Sequence, residues 1–182
     1  MSDKTYKISE VFYSPQGEGR YTGQLTAWVR VFGCPLQCDG FGQADPTNPE
    51  SYILPYKTFN VASVKRVEDL PVFDYGCDSS YSWSARFKHL CPKLTTDEIA
   101  EQILSKLPLR SFSQPKANNT IHLAFTGGEP LMSKAQEMML GVVESLAAKG
   151  EDPFFVTVET NGTQILSPAL IDEIYKYDNR NI

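Results

Sequence analysis

Cys34 and Cys38 are spaced for ligation, and a third cysteine, Cys77, follows after a long interruption. Cys34 and Cys38 bracket Cys34-Pro-Leu-Gln-Cys38, close enough on one turn to bind the same cluster or metal ion, and Cys77 opens Cys77-Asp78-Ser79-Ser80-Tyr81-Ser82-Trp83. Three thiolates around an iron–sulfur cubane leave one iron open to a chelating ligand. Cys91 has no comparable flank. A second candidate is Thr126-Gly127-Gly128-Glu129-Pro130, where glycines would let backbone approach a ligand and a carboxylate or exposed carbonyl could receive an ammonium group. Arg30 is either a solvated charge or, in a buried interior, a cation in need of an anionic partner. His122 reads as a packed core histidine, and His89 with Cys91 falls short of the four ligands a closed zinc site wants.

An alternation of strands and helices must position these groups. Ile8 to Tyr13 is β-prone and is broken by Ser14-Pro15-Gln16-Gly17-Glu18-Gly19. Leu25 to Phe32 has apolar residues at 25, 27, 29 and 31, the period of a strand, and delivers Cys34 to a loop at its carboxyl end. In α/β sheets and barrels, sites are built at that end. Thr95-Thr96-Asp97-Glu98 fits a capping box ahead of the stripe Ile99, Ile103, Leu104 and Leu107. A strand from Thr120 to Phe125 leads into the glycines, and a helix with Met138, Met139, Val142, Val143 and Leu146 inward ends at Gly150. Phe154 to Val158 is a further strand, ending in Glu159-Thr160-Asn161-Gly162-Thr163. Ser167-Pro168 then starts a helix through Leu170, Ile171 and Ile174. This order implies a parallel sheet.

Residues 39–76 interrupt the pattern. Loops beyond about 12–15 residues are uncommon without a role of their own. Prolines 46, 49, 55 and 71 oppose a long helix, Phe59 to Val64 suits one short strand, and Lys65-Arg66 suits a solvated pair. The segment is either a lid or brace over the site or a surface excursion with no catalytic part.

A chain of 182 residues fits one domain. Its net charge of −5, with no run of Lys or Arg, argues against a nucleic-acid surface and favours small-molecule substrates. No stretch approaches the roughly 18 apolar residues of a membrane span, and the N-terminus lacks an apolar leader. A cytoplasmic location is expected, where cysteines serve as thiols or ligands rather than disulfides.

The motifs together resemble one family. Cys34-x3-Cys38 keeps the first interval of the C-x3-C-x2-C motif of radical S-adenosylmethionine enzymes, with the second interval expanded. Cys77-Asp-Ser-Ser-Tyr-Ser-Trp83 is similar to the Cys-Asp-Thr-x-Tyr-x-Trp run of the 7-carboxy-7-deazaguanine synthases. Ser9 to Gly19, Trp28 to Cys34 and Glu159 to Thr163 look like segments of the same family, although Gln16-Gly-Glu-Gly19 alone would read as a surface turn. The resemblance implies an α/β fold, a partial (β/α) barrel with a mostly parallel sheet and helices outside. It also implies a single domain over 1–182, with 39–76 inserted in the cluster loop. Cys34, Cys38 and Cys77 would hold a [4Fe-4S] cluster, and Ser79, standing at a Thr position, would coordinate Mg²⁺. Gly127, Gly128 and Glu129 would hold the amino group of S-adenosylmethionine, with Gly76 and Asp78 also on the cofactor side. Gly76 stands where the superfamily commonly has an aromatic residue near the adenine, a place that Phe41 or Tyr75 could fill. Pro15, Gln16, Gly17, Glu18, Arg30, Thr126 and Glu159 would line the substrate pocket, Arg30 meeting a carboxylate, Glu159 facing the pterin, and Glu18 and Glu159 being the catalytic residues.

The family's reaction is a ring contraction. A reduced cluster cleaves S-adenosylmethionine, the 5′-deoxyadenosyl radical takes hydrogen from C6 of 6-carboxy-5,6,7,8-tetrahydropterin, and loss of ammonia gives 7-carboxy-7-deazaguanine. The product feeds 7-deazaguanine pathways, queuosine among them. A flavodoxin-like electron donor is implied, and a homodimer is a possible assembly. The family's later Ser-Pro-Lys segment and late histidine have no counterpart before Ile182, so the domain is expected to lack its last strands. Two other readings stay open: a glycyl-radical activase of the same superfamily, and a non-catalytic relic that binds metal or a partner.

Overall fold

The computed structural model describes residues 4–113, 121–153 and 155–178. Five strands form one open sheet: β1 (Tyr6–Pro15), β2 (Leu25–Val31), β3 (Lys93–Leu94), β4 (His122–Gly127) and β5 (Val156–Val158), in the order β3-β1-β2-β4-β5. β2, β4 and β5 are mutually parallel, whereas β1 is antiparallel to both of its neighbours, so every strand but β1 runs the same way. The sheet is mostly parallel, as expected, and it does not close. Thr120 and Phe154, the expected starts of β4 and β5, lie outside the described residues.

Alternation along the strands sorts two faces. Ala27, Val29 and Val31 of β2 and Leu123 and Phe125 of β4 share one core with Ile99 and Ile103 of α2 (Thr96–Lys106) and Met138, Val142 and Leu146 of α3 (Ser133–Ala148). The intervening residues pair across the strands as Thr26 with His122, Trp28 with Ala124 and Arg30 with Thr126, on the opposite face. β1 breaks the period of two. Ile8 and Val11 are both in the core because the register shifts between Ile8 and Glu10. That bulge turns Ser9 inward and sets Glu10 directly opposite Arg30. Without it, one of the two apolar residues would point to the polar face.

The helix signals are read correctly at both ends of the core. Thr95 caps α2 with Glu98 in a reciprocal capping box. Ser167 Oγ accepts from Leu170 N at 3.3 Å at the start of α4 (Pro168–Asp178). Only Leu170 of the expected α4 stripe is buried, however, and Ile171 and Ile174 remain exposed. α4 packs against α3, and Leu170 is its inward residue. No helix among the described residues is long and apolar enough to cross a membrane.

Residues 39–76 have a core of their own. Tyr56 of the one-turn helix α1 (Pro55–Thr58), Val67 and Phe73 pack with Phe87 and Leu90 from outside the insertion. Phe59 to Val64 is not a strand; it contributes Phe59, Val61 and Val64 to the same cluster, where side-chain burial rather than a ladder fixes the backbone. The neck of the insertion is closed by Gly76 N donating to Phe41 O at 2.8 Å. Asp39 anchors it from within, accepting from Tyr56 OH at 2.7 Å and Lys57 Nζ at 2.8 Å.

Candidate active site

The polar face of the sheet carries a continuous row of partners. Glu10 Oε1 accepts from Arg30 Nε at 2.7 Å and from Tyr81 OH at 2.9 Å, and Thr126, the β4 neighbour of Arg30, donates to Glu159 Oε2 at 2.8 Å. Arg30 therefore has the anionic partner that a part-buried cation requires. Burial, with Glu10 adding to it against the opposing Arg30 charge, pushes the Tyr81 phenol well above its ordinary value. A cavity of about 390 Å³ opens over this row, lined by Phe12, Ser14, Pro15, Gly17, Glu18, Trp28, Arg30 and Glu159. Its indole and phenyl walls, Trp28 and Phe12, stack at 5.7 Å and 6°. Gln16 stays out of the lining. Its side chain is 6% exposed, with Nε2 lacking any partner among the described residues, so a donor stands ready beside the cavity wall.

The cysteine loop lies at the carboxyl ends of β2 and β4. Cys34, Cys38 and Cys77 are half-buried free thiols, and Cys38 and Cys34 are raised above the usual thiol range, first by burial and then by neighbouring groups that include the other cysteines. Among the described residues no three His, Cys, Asp or Glu side chains are gathered closely enough for a single metal ion. A cubane cluster spreads its ligands wider than an ion does, and thiols are the ligand type it takes. Ser79 Oγ sits 3.6 Å from Cys77 Sγ, and Asp78 is exposed beside it. Cys91 is set apart, buried against Ser9 and the Phe87 carbonyl.

The glycines of the turn after β4 also serve packing within the chain. A Cβ on Gly128 would lie 2.1 Å from Gly33 O, and one on Gly127 would lie 2.5 Å from Val31 N and O. What approaches so closely is the chain's own β2 exit, locked by Glu129 N donating to Gly33 O at 2.7 Å. Gly33 N in turn donates to Ser82 O at 2.7 Å, so the cysteine-bearing segments and the Gly-Gly-Glu turn form one unit. Glu129 is wholly buried. Its carboxylate accepts from Leu131 N at 2.8 Å, Thr160 Oγ1 at 2.7 Å and Asn161 N at 2.8 Å, which leaves the side chain organising the loop after β5. That loop sends Asn161 Nδ2 to within 3.5 Å of Cys34 Sγ.

Gly76 is explained by space as well. It is buried with φ +80°, and a Cβ there would meet Leu54 Cδ2 at 3.2 Å and Asp39 Cα at 3.8 Å. An aromatic residue has no room at this position; Phe41, 66% exposed, stands next to it across the neck. Glu10, Tyr81 and Asn161 were absent from the residues picked out by sequence. Glu10 and Tyr81 lie within the motif segments, but their pairing depends on the β1 bulge and joins residues 71 positions apart in the chain.

No family model matches the chain. Similar proteins do. It is 22% identical over 178 residues to the 7-carboxy-7-deazaguanine synthase of Buchnera aphidicola, covering 91% of this chain and 58% of that one. It is 27% identical over 157 residues to that of Halobacterium salinarum, covering 86% and 39%. The chain is similar to 7-carboxy-7-deazaguanine synthases over most of its length. It spans about half the length of the curated relatives it matches. A solved structure of the synthase QueE from Escherichia coli aligns over 89% of this chain and 55% of that chain at 20% identity, with a TM-score of 0.48.

Proposed function

We propose that this chain acts as a 7-carboxy-7-deazaguanine synthase, a radical S-adenosylmethionine lyase converting 6-carboxy-5,6,7,8-tetrahydropterin to 7-carboxy-7-deazaguanine with loss of ammonia. The observation that supports it most is one of layout. Three thiols and an Arg–Glu–Thr–Glu row meet on the same unit of sheet and loop, joined by the hydrogen bonds of Gly33 and Tyr81. The similarity to synthases over most of the chain supports the same reading.

In this reading Cys34, Cys38 and Cys77 hold a [4Fe-4S] cluster, Ser79 faces Mg²⁺, and Asp78 and Gly76 border the cofactor. When bound, cluster and S-adenosylmethionine supply one-electron reduction and hydrogen-atom abstraction. Backbone carbonyls of Gly127, Gly128 and Glu129 take the methionyl ammonium, because the Glu129 carboxylate already has three donors. Arg30 binds the substrate carboxylate. Glu18 and Glu159 face the bicyclic ring as proton acceptors and donors, and Thr126 holds Glu159 in place at 2.8 Å. Pro15 and Gly17 form the wall, and Gln16 between them binds the substrate with its unpartnered amide. The walls of Phe12 and Trp28 exclude water from one face. A flavodoxin-like donor supplies the electron in the cytoplasm, to one chain or to each half of a homodimer.

Anaerobic reconstitution with iron and sulfide, read by electron paramagnetic resonance with and without S-adenosylmethionine, tests this directly. The expected result is a [4Fe-4S]⁺ signal that changes on adding S-adenosylmethionine, persists in Cys91→Ala and vanishes in Cys77→Ala, followed by turnover of the pterin. A protein that takes up no cluster, or a cluster blind to S-adenosylmethionine, would sink the reading.

A further inference from the structure

Arg30 is held from two sides by residues outside the family's substrate-lining set. Glu10 occupies its Nε edge at 2.7 Å and shares the same oxygen with Tyr81 OH at 2.9 Å. The rings of Phe12 and Tyr81 lie 5.7 and 5.8 Å from Arg30 Cζ and flank the guanidinium. A guanidinium is a rigid plane with five donors, so fixing one edge fixes the direction of the rest. No described residue accepts from the Nη atoms, and Arg30 lines the cavity. A fork so presented fits a carboxylate with two parallel bonds.

Resting on the pterin reading above, we propose that Glu10 and Tyr81 are positioning residues that aim the Arg30 fork and thereby make the cavity selective for a bicyclic heterocycle bearing a carboxylate. Charge alone would not give this selectivity, since Glu10 neutralises Arg30 and Glu18 and Glu159 also line or border the space. Direction gives it. Tyr81 follows Cys77 in the same short segment, whose Ser82 carbonyl accepts from Gly33 N, so the hydrogen bond to Glu10 also couples the cysteine loop to the carboxylate receptor.

Two stable compounds that differ only in the carboxylate, pterin-6-carboxylate and pterin, separate the possibilities when titrated calorimetrically into the purified chain. Wild type should prefer pterin-6-carboxylate by about tenfold or more, the value of one good charge-assisted fork. Tyr81→Phe, which removes a single hydroxyl, should weaken that ligand by about threefold and Glu10→Gln by about tenfold, each leaving pterin within about twofold. Urea midpoints and circular dichroism establish that both variants are folded. An unchanged preference in both variants overturns the positioning role while leaving the pterin reading intact. Equal losses for both ligands show a merely structural role and overturn it too. Wild type binding neither compound overturns the pterin reading and this proposal with it.

Discussion

Gly128 lies against Gly33 so closely that a Cβ on Gly128 would sit 2.1 Å from the Gly33 carbonyl oxygen and 3.2 Å from Cys34 Cβ. The turn after β4 is thereby pressed onto the loop that bears the first cysteine. Gly128→Ala should cost about 3 kcal/mol, the upper end for overpacking, because the clash is with backbone that cannot rotate away. Gly17 has nothing within 4 Å of its Cβ direction, and Gly17→Ala should stay within about 0.5 kcal/mol. Urea unfolding of the two variants checks the contrast.

Glu129 organises the loop after β5 through three accepted hydrogen bonds in a fully buried setting. Glu129→Gln keeps the shape and places an amide NH₂ against at least one N–H or O–H donor. The expected loss is about 2–3 kcal/mol, the cost of burying groups without partners. Hydrogen exchange should single out the Asn161 amide, which donates to Glu129 Oε2, as the site that loses protection first.

These two residues mark where sequence reasoning reaches its limit. Gly127-Gly128-Glu129 was legible as a special turn at a strand end, and the turn is there, but its close approach to Val31 and Gly33 was not legible. Composition and motif cannot say which of two backbones a glycine accommodates. The capping box at Thr95 and the apolar stripes of α2 and α3 were legible because they rest on local spacing. The Glu10–Arg30–Tyr81 cluster was not, since a one-residue bulge decides which way Glu10 faces. The insertion followed the same rule: its prolines correctly excluded a long helix, while the mistaken strand at Phe59 to Val64 came from β-prone residues that instead fill the second core.

Asp39 and Gly76 close the neck of that insertion. Tyr56 is 2% exposed and its hydroxyl donates to Asp39 Oδ1, so Asp39→Ala leaves a buried hydroxyl without its acceptor and should cost about 1–3 kcal/mol. Lys57 has a half-exposed side chain, and Lys57→Ala should cost less than about 1 kcal/mol, as exposed ion pairs do. Gly76→Ala should cost about 1–2 kcal/mol for the left-handed backbone alone. Thermal melts of the three variants would rank them; a Lys57→Ala loss equal to that of Asp39→Ala would show that the ion pair, not the buried hydroxyl, holds the neck.

His122 makes stability depend on pH in a direction the structure fixes. Its ring is 3% exposed, packed 5.1 Å from Tyr21 and 4.7 Å from Phe155, and Nδ1 has no partner among the described residues. Burial lowers its pKa below the ordinary 6.5. As pH falls through 6.5, the unfolded chain takes up a proton that the folded imidazole refuses, so stability is lost, and the loss levels off only when the folded group titrates at its lower value. His122→Phe keeps an aromatic ring among aromatic neighbours and removes both the titration and the orphan nitrogen. Between pH 7 and pH 5 it should lose about 1 kcal/mol less than wild type, the scale set by one proton over one pH unit. Urea midpoints at the two pH values supply the comparison. The other acids of the fold contribute equally to both proteins, so an identical acid loss in the two would mean that His122 is protonated as readily inside the fold as outside it.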